Sequence, residues 1–78
     1  MDIKRKIGNR IKELRAIKGL SQNDLAFCSN LARSYIAGVE NGQRNISVEN
    51  IEKIATGLQI SVKDFFEEVS FGEIKEIK

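Results

Sequence analysis

Apolar residues recur at intervals of three and four along this chain, in short blocks that open on serine or close on glycine. That rhythm belongs to α-helices, because side chains three or four apart share one helix face. Ile3, Ile7, Ile11, Leu14 and Ile17 form the first stripe, and Gly19 follows as a stop. Ser21 stands where an N-cap belongs, with Asp24 three residues on, so the spacing predicts a capped second helix from Gln22 to Cys28, with Leu25 and Ala26 inward. Ser29, Asn30 and Leu31 read as a turn, and a third helix runs from Arg33 to Asn41 and stops at Gly42. Ser47 caps a fourth helix bearing Val48, Ile51, Ile54, Ala55 and Leu58. Ser61 with Asp64 repeats the start signal for a fifth, whose apolar side is Val62, Phe65, Phe66 and Val69 before a break at Ser70, Phe71 and Gly72. Proline is absent and aromatic residues are few, which agrees with helices and not with strands. The expectation is an all-α fold of five helices, one domain over residues 1–78, with its core over about 3–70 and a frayed tail at 71–78.

Several chemistries are hard to build from this composition. There is no histidine, which removes the common triads, general bases and zinc sites, and one cysteine removes a disulfide framework. Cys28 reads as a partly buried filler at the end of helix two. No run is long and apolar enough for a membrane span and no signal-peptide pattern is present, so a cytoplasmic protein is expected. No glycine-rich phosphate loop is seen either. The expected protein is not an enzyme and uses no metal, cofactor or small-molecule ligand.

Charge is uneven. Residues 1–44 hold nine Lys/Arg against four Asp/Glu, whereas residues 45–78 hold four against seven. A cationic face and a separate acidic surface follow. Helices two and three, joined by a short turn, have the layout of a helix-turn-helix, with Ala26 at the close approach, Leu31 filling the turn, and Ile36 and Val39 anchoring the third helix. Stepping 100° per residue, Tyr35, Ile36 and Val39 cluster on the core side. Ser34, Ala37 and Asn41 lie opposite, with Arg33 and Gly38 at the margins. That outward strip holds one cation, small residues and an amide, and no acid, which suits insertion into a DNA major groove. Gly38 costs about 1 kcal/mol against alanine inside a helix. Either the cost is tolerated or a close approach to DNA requires it.

At these residues the chain resembles the Cro/phage-repressor (XRE) helix-turn-helix family. The stretch LSQNDLAFCSNLARSYIAGVENG, residues 20–42, carries the resemblance, and RNISVENIEKIATGLQISVKDFF, residues 44–66, is similar to the family's fourth and fifth helices. The sequences R-S-Y-I at 33–36 and V-E-N-G-Q-R-N-I-S at 39–47 are most similar to controller proteins of restriction–modification systems. The resemblance covers roughly residues 7–66 and implies base contacts by Arg33 and Ser34, with Ala37 and Gly38 on the same strip. It implies phosphate-backbone or flanking contacts by Gln22, Tyr35, Asn41, Gln43, Arg44 and Asn45. Tyr35 is expected to pack inward first and to reach DNA through its hydroxyl. Arg15 and Glu40 match a pair that bridges the first and third helices.

Three departures stand out. Ala32 occupies the capping position of helix three, Ala37 stands where controllers often carry serine, and Gln59 replaces a glycine common after helix four, with Gly57 two residues earlier. The implied function is a transcription regulator that binds a pseudo-palindromic operator as a homodimer, activating at low occupancy and repressing at high. Double-stranded DNA, a second copy of the chain and RNA polymerase are the implied partners. Phe65, Phe66 and Phe71 cannot share one helix face, so at least one is expected at a partner surface, and Ile60, Val62, Phe65 and Phe66 are the candidate dimer residues. The alternative is a phage-type repressor, or an antitoxin-like module whose main ligand is another protein.

Overall fold

A side-chain oxygen opens four of the helices in the computed structural model, which describes residues 2–67. The elements are α1 (Ile3–Lys18), α2 (Gln22–Ser29), α3 (Arg33–Glu40), α4 (Val48–Gly57) and α5 (Val62–Glu67). Asp2 Oδ1 accepts from the Lys4 and Arg5 amides at the start of α1. Ser21 and Asp24 form a reciprocal capping box on α2, each side chain accepting the other's backbone N–H at 3.0 Å. The Ser21 amide and hydroxyl hold the Asp24 carboxyl below the usual carboxylate range. Ser47 and Ser61 accept from the Asn50 and Asp64 amides in the same way. At α3 the expected gap is real: Ala32 offers no side-chain cap. The expectations for Val69 to Gly72, and for a frayed tail at 71–78, lie outside the described residues.

Ile11, Leu25, Ile36, Val39, Ile54, Leu58 and Phe65 are fully buried, so all five helices feed one core. Each such side chain is worth about 1.5–3 kcal/mol over its exposed form. The helix α3 packs on α1 and α2, and α4 packs on α2 and α5. The approach of α1 to α3 is backbone against backbone. A Cβ on Gly8 would fall 2.5 Å from the Val39 carbonyl oxygen and 2.6 Å from that of Glu40. Only glycine permits this spacing, and nothing local in the sequence announces it.

The expectations need correction in several places. The α1 stripe overruns the core: Ile7, Ile11 and Leu14 are buried, but Ile3 and Ile17 are exposed. Val48, part of the apolar pattern of α4, is 81% exposed and sits at the rim of a groove shared with Val62 and Phe66 of α5. Cys28 is exposed rather than partly buried. Helix α2 runs one residue further than expected, to Ser29, and α3 ends at Glu40 with Asn41 as its cap. Phe65 is 0% exposed, its ring edge-on to Phe66 at 5.0 Å. A residue with no surface cannot meet a partner, so Phe65 belongs to the core and not to a dimer interface.

Two arginines on α1 hold the outlying elements. Arg15 forks onto Glu40 of α3, with Nε to Oε2 at 2.6 Å and Nη2 to Oε1 at 3.0 Å, and its Nη1 donates to the Leu20 carbonyl. The Glu40 side chain is 1% exposed, and its hydrogen bond raises the Arg15 pKa further. Arg10, buried and unremarked in the sequence, donates from Nε to the Phe65 carbonyl at 2.7 Å and from Nη2 to the Asp64 carbonyl at 2.8 Å. A guanidinium there sets a positive charge against two backbone carbonyl oxygens of α5.

Candidate nucleic-acid interface

The outer face of α3 is open to solvent at its start, where Arg33 and Ser34 stand. Ile36 and Val39 are fully buried beneath it, while Arg33, Ser34 and Asn41 are exposed and Ala37 and Gly38 are half-buried at the edges. The lone acid of this helix, Glu40, is turned inward onto Arg15. The strip facing solvent is therefore free of negative charge. Among the described residues the ion pairs are Arg10–Glu13 and Arg15–Glu40, so no described acid pairs with Arg33 or Arg44.

Gln22, at the start of α2, is half-buried and donates from Nε2 to Glu40 Oε1 at 2.9 Å. Its amide is thus held beside α3, with its carbonyl oxygen still able to accept. It is not an unattached surface glutamine, a distinction that the residue type alone could not make.

Beyond α3 the chain folds back on itself. The Asn41, Gly42 and Gln43 amides donate to the carbonyls of Ala37, Val39 and Gly38. This return brings the exposed Gln43, Arg44 and Asn45 alongside the recognition strip. Tyr35 is half-buried, as expected, and its hydroxyl links loop and helix: it accepts from Asn50 Nδ2 at 3.0 Å and donates to the Asn45 carbonyl at 3.3 Å. The Arg44 guanidinium lies over the Tyr35 ring at 5.5 Å from its centroid. Asn50 was missed in the sequence, since its partner lies on another helix and no spacing rule connects them.

The candidate dimer residues lie on α5 and on the connector before it. Val62 is exposed, and Ile60 and Phe66 are half-buried against the core. Exposed Val48 and half-buried Ile51 line one groove with Val62 and Phe66. A second groove brings Ile3 and Ile46 to Phe66. Val48 and Ile3 belong to the apolar stripes of their helices, and their exposure is what extends this apolar surface.

A helix-turn-helix family model matches residues 11–65. The control protein C.MunI of a Mycoplasma species is 44% identical over 69 residues, covering 87% of this chain and 93% of that protein. The crystal structure of the restriction–modification controller protein C.AhdI from Aeromonas hydrophila superposes with a TM-score of 0.80 at 53% identity, over 85% of this chain and all of that one. The controller C.Esp1396I, solved as a tetramer in complex with its natural 35-base-pair operator, superposes with a TM-score of 0.84 at 40% identity, over 88% of this chain and 91% of that one.

Proposed function

The chain belongs to the helix-turn-helix family, and on that premise we propose that it is a sequence-specific DNA-binding transcription regulator, the controller protein of a restriction–modification system. One observation carries the reading: α3 presents an acid-free exposed strip with Arg33 and Ser34 at its head, while Ile36 and Val39 lock its other side into the core.

In this reading α3 enters the major groove of duplex DNA. Arg33 takes guanine O6 and N7 with two hydrogen bonds, Ser34 takes a neighbouring base edge, and Ala37 lies against bases where a larger side chain would clash. Gln22 at the α2 start, Asn41, Gln43, Arg44 and Asn45 hold the phosphates and fix the register, while Tyr35, whose hydroxyl proton goes to the Asn45 carbonyl, steadies the loop that carries three of them. A second copy docks through Ile60, Val62 and Phe66, extended by Val48, and sets two recognition helices on half-sites about 10 bp apart. The regulator works in the cytoplasm on the promoters of its own gene and of the endonuclease, activating at low occupancy through contact with RNA polymerase and repressing at high.

A band-shift titration tests this. DNA from upstream of the gene is expected to outcompete random duplex at moderate salt, and Arg33→Ala is expected to relax the preference at one base position, at a cost of about 1–3 kcal/mol. Equal affinity for every duplex would sink the reading. Sedimentation is expected to show a dimer at micromolar concentration, and a persistent monomer there would remove the two-half-site arrangement.

A further inference from the structure

The glycine in the recognition helix has a use that neither a tolerated defect nor a close DNA contact describes. A Cβ placed on Gly38 would lie 2.7 Å from Arg44 Cγ, 3.4 Å from Nε and 3.5 Å from Cδ. The Arg44 stem therefore crosses the helix at the spot where residue 38 has no side chain. Tyr35, one helical turn back, supplies the wall of the same slot, with its ring 5.5 Å from the guanidinium carbon. The wall is itself fixed, because Asn50 Nδ2 and the Asn45 carbonyl hold the phenol from opposite sides. The slot is closed by the loop, whose Gln43 amide donates to the Gly38 carbonyl at 2.9 Å.

A loop arginine ordinarily samples many rotamers and loses that freedom on meeting a phosphate or a base. Seated between a glycine floor and an aromatic wall, this one has lost much of it before DNA arrives. We propose that Gly38 is a positioning residue that acts through Arg44: the missing side chain is the seat that aims the Arg44 guanidinium at DNA beside the recognition helix. The inference rests on the DNA-binding reading above. It moves Gly38 from touching bases to shaping a neighbour that does the touching.

The seat predicts opposite signs for folding and binding. Alanine is the better helix former, so Gly38→Ala is expected to leave the melting temperature unchanged or raised. It is also expected to weaken operator binding about two- to fivefold, the loss of a seated surface cation. Arg44→Ala is expected to weaken binding by at least as much, and the double variant to be no weaker than Arg44→Ala alone. In the free wild-type protein, NMR is expected to show cross-relaxation between the Arg44 Hγ protons and Gly38 Hα. Absence of that signal would overturn the seat, and additive losses in the double variant would overturn its action through Arg44. If the signal is present but the wild-type protein prefers no operator, the DNA-binding reading has failed instead, a result told apart because the NMR measurement needs no DNA.

Discussion

Arg10 and Arg15 leave the same helix and each ties it to a distant element, yet the two attachments are built differently. Arg15 grips a carboxylate, so its partner must be one residue type at one position, and Glu40 supplies it. Arg10 grips two backbone carbonyls of α5, which any residues at 64 and 65 would offer. The first attachment holds the recognition helix, where α1 and α3 also meet backbone to backbone at Gly8. The second holds the short helix beside the proposed dimer surface, through one long side chain. A joint between two charged side chains has a double signature in a sequence. A joint between a side chain and a backbone has half of one.

Removing the carboxylate is expected to have the largest effect. Glu40→Ala leaves the Arg15 guanidinium and the Gln22 amide without their shared acceptor in a mostly buried site, and breaking such a pair costs about 3–5 kcal/mol. Urea denaturation measures it. A loss below about 1 kcal/mol would put the pair among exposed surface bridges and erase the contrast in how firmly the two helices are held.

Arg10→Ala is expected to cost less, about 1.5–3 kcal/mol, the range for hydrogen bonds to a charged group. Amide hydrogen exchange should separate the two joints. The variant is expected to speed exchange in α5 while α3 keeps its protection, and it should weaken dimerisation along with α5. Equal loosening of α3 would show that the two attachments are one cooperative unit.

The same contrast explains what was legible in the sequence. Helix starts were, because a serine hydroxyl three residues before its target amide is a local event: Ser21, Ser47 and Ser61 all cap as expected. The outward strip of α3 was legible from helical periodicity, and the Arg15–Glu40 bridge from resemblance to a family whose members share it. Interactions decided by depth or by distant backbone were not. Phe65 and Phe66 are neighbours in sequence with equal hydropathy, and only the tertiary packing sends the first into the core and leaves the second at its edge. Ile17 and Val48 keep the helical rhythm of their stripes and are nonetheless exposed. Gly8 and Gly38 are both glycines inside helices, but one admits a backbone and the other an arginine stem. Residue type says only that something is missing there, not what fills the space.

The smallest effect concerns the tether of α5. Helix α4 ends with the Gln59 amide donating to the Thr56 carbonyl and the Ile60 amide to that of Ala55, the pair of bonds that closes a Schellman turn. Such a turn needs a left-handed residue, and Gln59 adopts φ of 62° to provide it. An L side chain there is disfavoured by about 1–2 kcal/mol, whereas glycine is not, although glycine also gives the unfolded chain more freedom to lose. Gln59 is exposed, so replacing it removes no core packing. Gln59→Gly is thus expected to stabilise the protein by about 0.5–1 kcal/mol. Because the turn sets the N-terminal end of α5 and Arg10 holds carbonyls further along it, the gain should persist in an Arg10→Ala background if the two act separately. A gain that vanishes there would show that the turn and Arg10 position α5 as one coupled unit.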